Sequence, residues 1–111
     1  MMAVMVSTID PRAPKAQIEL PCQLRRRTGS PIPARTLVLG PRGMRVCSPR
    51  PLALDEMVGF DLPNLNIRVS GSARVVGQDR ANVYVLRFEG LPEPMTRCLH
   101  ALAVNAPPDH N

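Results

Sequence analysis

Residues Ala34 to Leu52 run ARTLVLGPRGMRVCSPRPL. Thr36, Leu37, Val38 and Leu39 favour extended backbone. Gly40-Pro41-Arg42-Gly43 is a turn by composition, because proline pre-sets one φ and glycine takes φ values that other residues avoid. Met44 to Cys47 resume a strand, and Ser48-Pro49-Arg50-Pro51 ends it, since proline has no N–H to give to a ladder. Two strands about a Gly-x-x-Gly turn, a proline-rich corner and a further strand predict a small antiparallel barrel with this turn at its mouth.

The flanks extend the same pattern. Gln17 to Arg25 alternates, with Ile18, Leu20, Cys22 and Leu24 on one face, and predicts a half-buried strand; Pro21 on its outer face suggests an edge or a bulge. Arg25-Arg26-Arg27-Thr28-Gly29-Ser30-Pro31 reads as a charged hairpin loop. Asp55 to Leu62 predicts a strand with Val58, Phe60 and Leu62 on one face, and Pro63-Asn64 turns it. Asn66 to Val76 is the longest strand candidate, and Gly71 in its middle suggests the bulge or bend that a barrel needs to close. Gln78 to Asn82 is the next loop, and Val83 to Glu89 the returning strand, with Tyr84, Leu86 and Phe88 inward. Met95, Cys98, Leu99 and Leu102 recur at helical spacing, so Glu93 to Val104 is one amphipathic helix; Pro94 is tolerated at its start and Glu93 suits its dipole. Met1 to Pro14 reads as a leader, residues 15–104 as barrel plus helix, and 105–111 as a frayed tail.

Composition narrows the classes. A chain of 111 residues is one domain. Aromatics at 3% and no tryptophan require an aliphatic core, and 13 prolines with 7 glycines leave no room for a helical bundle. A net charge of +5, carried by arginines and Lys15, admits anionic partners, but the charges are spread along the chain as on a solvated surface. Cys22, Cys47 and Cys98 form no C-x-x-C, and only His100 and His110 accompany them, so reduced thiols in a cytoplasmic protein are expected, with no metal and no cofactor. Met1 to Ile9 is mildly apolar but far too short to span a bilayer. Asp55-Glu56 is a carboxylate pair at a strand start, where a turn role is the simpler reading, and no nucleophile–base set is visible; an enzyme is not expected.

With these elements in place the chain resembles the PilZ domain from about Pro11 to Val104. Lys15-x-x-Ile18-x-Leu20-Pro21-Cys22 is similar to that family's first strand after its basic linker, and Gly43-Met44-Arg45-Val46 with Pro51-Leu52 to its next strand and corner. Val58 to Leu62, Gly71 to Val76 and Tyr84 to Leu91 resemble the strands that follow. The resemblance implies a mainly β fold, a six-stranded antiparallel barrel with a C-terminal helix, and as ligand the bacterial second messenger cyclic di-GMP. The family holds that ligand with R-x-x-x-R in the linker and D/N-x-S-x-x-G at the turn. Here Arg12-Ala13-Pro14-Lys15 is one residue short and ends in lysine, and of the turn motif Val38 to Gly43 keeps only Gly43.

Chemistry gives those departures weight. Arginine forks onto guanine or phosphate, whereas lysine is a point charge. Valine cannot accept from guanine N–H groups as Asp or Asn does. Each lost charge-assisted hydrogen bond removes on the order of 1.5–3 kcal/mol, against about 8 kcal/mol for a micromolar ligand. The expected nucleotide site, carried by Arg12, Lys15, Arg42 and Gly43, is therefore weakened or lost unless other arginines substitute; Arg25, Arg26 and Arg27 form a second basic patch.

Three functions are open at this point. One is a PilZ-like signalling adaptor of the cyclic di-GMP type that binds another signalling or motility protein. The second is a cyclic di-GMP receptor using substituted arginines. The third, a basic nucleic-acid-binding barrel, is disfavoured, because single strands are held by aromatic stacking and Tyr84, Phe60 and Phe88 are expected inside.

Overall fold

The computed structural model describes residues 15–105; Arg12, the rest of the leader, His110 and the tail beyond Asn105 lie outside them. Six strands, β1 (Pro21–Arg25), β2 (Ile32–Leu39), β3 (Gly43–Cys47), β4 (Met57–Leu62), β5 (Val69–Arg80) and β6 (Val83–Glu89), precede one helix, α1 (Glu93–Asn105). Every neighbouring pair is antiparallel, and the sheet closes in the order β1-β2-β3-β6-β5-β4, with β4 returning to β1. This is the six-stranded barrel with a C-terminal helix that the sequence predicts.

The two-residue period decides which side chains fill it. Cys22 and Leu24, Met44 and Val46, Val58, Phe60 and Leu62, and Tyr84 and Leu86 all point inward and are buried. Each such aliphatic or aromatic side chain contributes roughly 1.5–3 kcal/mol. The few aromatics are concentrated, with the Phe60 and Phe88 rings stacked at 4.8 Å between centroids and 28° between planes. Leu99 and Ala103 of α1 are buried, and Met95, Cys98 and Leu102 pack on the same core.

Several boundaries differ from expectation. The first strand begins at Pro21, not Gln17. Thr36 explains this: its hydroxyl accepts from Leu20 N at 2.9 Å and donates to the Ile18 carbonyl, so a buried side chain stands where a ladder partner would. The alternation survives the break, with Ile18 and Leu20 on the core side. Pro21 opens β1 and is exposed, but it marks no sheet edge, because the barrel is closed. The end of β1 at Arg25 is where the alternation predicts. β2 begins at Ile32, earlier than Thr36, with Pro33 facing out. The fourth strand begins at Met57, after a turn in which Asp55 takes φ 71°.

The longest strand is also displaced. It begins at Val69, because residues 63–68 form a loop in which Arg68 reaches back to Asp61 at 2.9 and 3.1 Å. It then runs through the expected loop to Arg80, since Ala81-Asn82 turns in two residues with Asn82 at φ 68°. Gly71 carries no bulge: it pairs in register with Phe60, whose ring lies over it. The register shifts fall instead between Val75 and Gly77, between Gln78 and Arg80, and between Thr36 and Val38 on β2.

These pairings sort the connections between two barrel ends. The Gly40–Gly43 turn, the 63–68 loop and the link into α1 share one end; the 26–31 loop, the 48–56 connection and the Ala81-Asn82 turn share the other.

Candidate functional site

The end that carries the Gly40–Gly43 turn gathers three of the expected nucleotide residues. Gly40 N donates to the Gly43 carbonyl at 3.0 Å, and Phe88 N to the Arg42 carbonyl at 3.0 Å, which fix the turn against β6. Ala16 and Leu39 exchange backbone hydrogen bonds at 3.0 and 2.9 Å, which sets exposed Lys15 opposite Gly40 at the same end. Arg42 is exposed and, among the described residues, has no carboxylate within ion-pair distance. It lines a recess of about 470 Å³ with Pro41, Arg87, Phe88, Gly90, Leu91 and Thr96.

The recess is positively charged on one side only in part. Arg87 is held by Glu89 at 3.0 Å, and Arg74 lies 3.5 Å from the same carboxylate. The Arg87 hydrogen bond, with Arg74 behind it, holds Glu89 below its usual range. Val38, half-buried in β2, and Gly40 bring no side-chain acceptor to the turn. Gly43 is glycine for packing: a Cβ there would run into the Leu86 carbonyl oxygen.

The arginine run is at the opposite end of the barrel. Arg25 lies across Gly59, its strand partner. Arg26 grips Glu56 with two hydrogen bonds, 2.7 and 2.9 Å long, and Glu56 also accepts from Ala53 N at 2.9 Å. The Arg26 contact holds the Glu56 carboxyl below its usual range. Of Asp55-Glu56, one residue makes the turn and the other this ion pair. Arg27 is exposed in the loop. Arg25, Arg26 and Arg27 therefore do not converge with Lys15 and Arg42.

A second concavity lies beside α1. It is a groove of about 800 Å³, walled by α1 on one side and by Ile18 and the 64–67 loop on the other. Sequence spacing assigns α1 one apolar stripe; the structure adds a neighbouring face along the groove, Pro94, Arg97, Cys98, Ala101, Leu102 and Asn105, which is mixed in polarity and shares Cys98 and Leu102 with the core side. The only sequence signal for it is the spacing of Cys98, Ala101 and Leu102, which merges with the core stripe.

Asp61 and Cys22 have structural surroundings that account for their shifts. Arg68 holds the Asp61 carboxyl below its usual range. Burial pushes the Cys22 thiol up to about 12, with the Asp61 charge acting in the same direction. Cys47 and Cys98 are half-buried, and His100 is exposed. Among the described residues no three His, Cys, Asp or Glu side chains are grouped to hold a metal ion, and no helix is long and apolar enough to cross a membrane.

No protein-family model matches the chain, and no curated protein matches it in sequence. Among solved structures it is similar to the Bacillus subtilis inhibitor of motility, MotI/DgrA, at 10% identity with a TM-score of 0.69. The match covers 84% of this chain and 48% of that one, so the chain spans about half the length of its neighbour. At that identity the likeness is one of fold, and the shared fold is the PilZ-like barrel.

Proposed function

We infer that the chain is a signalling adaptor of the cyclic di-GMP type, acting through contact with another protein, its nucleotide site weakened or lost. The observation that carries this reading is the turn itself. Within a PilZ-like barrel the end that carries the Gly40–Gly43 turn presents Arg42, with no carboxylate partner among the described residues, and the ammonium of Lys15; the turn itself has no side-chain acceptor for a guanine edge, and the Thr96 hydroxyl lines the recess beside it. Arg26, which could have substituted, is committed to Glu56 at the far end. The fold neighbour is an inhibitor of motility, which suits a protein partner in signalling or motility.

The second reading, a receptor with a rewritten site, is favoured by Arg42 alone, exposed beside a recess of about 470 Å³. Calorimetry of the chain with cyclic di-GMP separates the two. No heat into the high micromolar range supports the adaptor. Micromolar binding that Arg42→Ala weakens by about tenfold, the loss of one charge-assisted contact, replaces it with the receptor.

A further inference from the structure

Among the described residues α1 has one face seated and another uncovered. Leu99 and Ala103 are buried against the barrel. The groove stripe, Pro94, Arg97, Cys98, Ala101, Leu102 and Asn105, repeats at i, i+3, i+4, i+7, i+8 and i+11, the spacing with which one helix receives another. Cys98 and Ala101 at its middle are small enough to admit a second backbone. On the opposite wall Ile18, Leu65 and Ile67 are apolar and alternate with Asn64 and Asn66. Ile67 and Val104, 42% and 57% exposed, carry apolar surface to the margins.

The rest of the fold narrows the occupant. All six strands are paired around a closed barrel, so the sheet presents no free edge and strand addition is not available to a partner. The open stretch of α1 from Pro94 to Asn105 is about 17 Å long, room for about three turns of helix. Among the described residues Arg97 is the one charged side chain lining the groove; it is 71% exposed and reaches Glu93 only at 4.0 Å. The α1 of a second copy would bring only Glu93, which already lies beside Arg97 on its own helix.

We propose that this groove takes the apolar face of an amphipathic helix from a partner protein, with an acidic side chain set against Arg97. The proposal rests on the adaptor reading and gives that adaptor its docking surface.

The probe is a fluorescein-labelled amphipathic peptide of about four turns, with leucines at i, i+3, i+4 and i+7 and glutamates beside them. A counterpart carries lysines for the glutamates. Titrated with the full chain, the acidic peptide is expected to bind in the micromolar range and the basic one about threefold or more weakly. Arg97→Glu reverses the order. Ala101→Arg, at an exposed helix position, lowers affinity by about tenfold or more, whereas Arg42→Ala leaves it unchanged. On the unaltered chain the peptide slows alkylation of Cys98, which lines the groove, and not of Cys47 on the barrel wall. This second readout decides the matter should circular dichroism show that Ala101→Arg unfolds.

No binding of the acidic peptide at about 1 mM overturns the proposal, as does binding that leaves Cys98 unprotected. A chain that sediments as a dimer and that Ala101→Arg makes monomeric also overturns it, by seating a second copy in the groove. Failure of the adaptor reading shows elsewhere, as cyclic di-GMP binding that Arg42→Ala weakens by about tenfold while peptide affinity is unchanged.

Discussion

Gly43 lies against Leu86 so closely that a Cβ on residue 43 would overlap the Leu86 carbonyl oxygen. The obstacle is backbone inside a β3–β6 ladder, which cannot swing aside as a side chain can. Gly43→Ala is therefore expected to destabilise the fold by about 1–3 kcal/mol, the usual cost of overpacking. Urea unfolding reads this as a lower midpoint at unchanged slope. A midpoint within error of the parent would show that the ladder yields, and would reopen a ligand role for this glycine.

The Arg26–Glu56 pair ties the 26–31 loop to the 48–56 connection. Both groups keep partial contact with solvent, so the bidentate pair contributes about 0.5–1 kcal/mol. Arg26→Ala should lower stability by that amount near neutral pH. Because Arg26 depresses the Glu56 carboxyl below its ordinary 4.5, the contribution is fully present above that value and fades as pH falls through the lower folded one. Parent and variant unfolding curves should therefore converge in acid. A gap that stays constant across that range would assign the loss to packing of the Arg26 stem.

Stacking of Phe60 on Phe88 gathers two of the chain's three aromatic residues at one point in the core. Phe60→Leu keeps apolar volume but loses the ring pair, and should cost about 1–2 kcal/mol. Phe88 also lines the Arg42 recess, so the same substitution should loosen that end of the barrel first. Hydrogen exchange at Phe88 N, bonded to the Arg42 carbonyl, checks it; protection lost evenly over all strands would show that the effect is global.

Cys22 is 2% exposed and its thiol is pushed up to about 12. At pH 8 only about one in ten thousand would be thiolate. Iodoacetamide on the native chain should modify Cys98 and Cys47 and spare Cys22, which reacts only on unfolding. Mass spectrometry of the labelled peptides checks this, and early labelling of Cys22 would mean that β1 opens locally from the barrel.

Periodicity along the chain was enough to read the six strands, the inward set from Leu24 to Leu86, the Gly40–Gly43 turn and the helix from Glu93. These are local patterns: alternation sorts a strand's faces and a 3.6-residue repeat sorts a helix's, whatever lies opposite. Boundaries were less legible where a side chain replaced a ladder partner, as Thr36 does for Leu20, or where a two-residue turn at Ala81-Asn82 let β5 run on to Arg80.

The sequence alone determined that this is a small closed barrel with an aliphatic core, and that its turn lacks the acceptors of a guanine site. Tertiary structure alone decided that Arg42 and Lys15 share one end while Arg25, Arg26 and Arg27 occupy the other, that Arg26 is bound to Glu56, and that α1 keeps an open face along Ala101. The physical reason is that convergence depends on register. Which residues meet follows from pairings between strands far apart in the chain, and a one-residue shift in any of them moves every side chain to the other face.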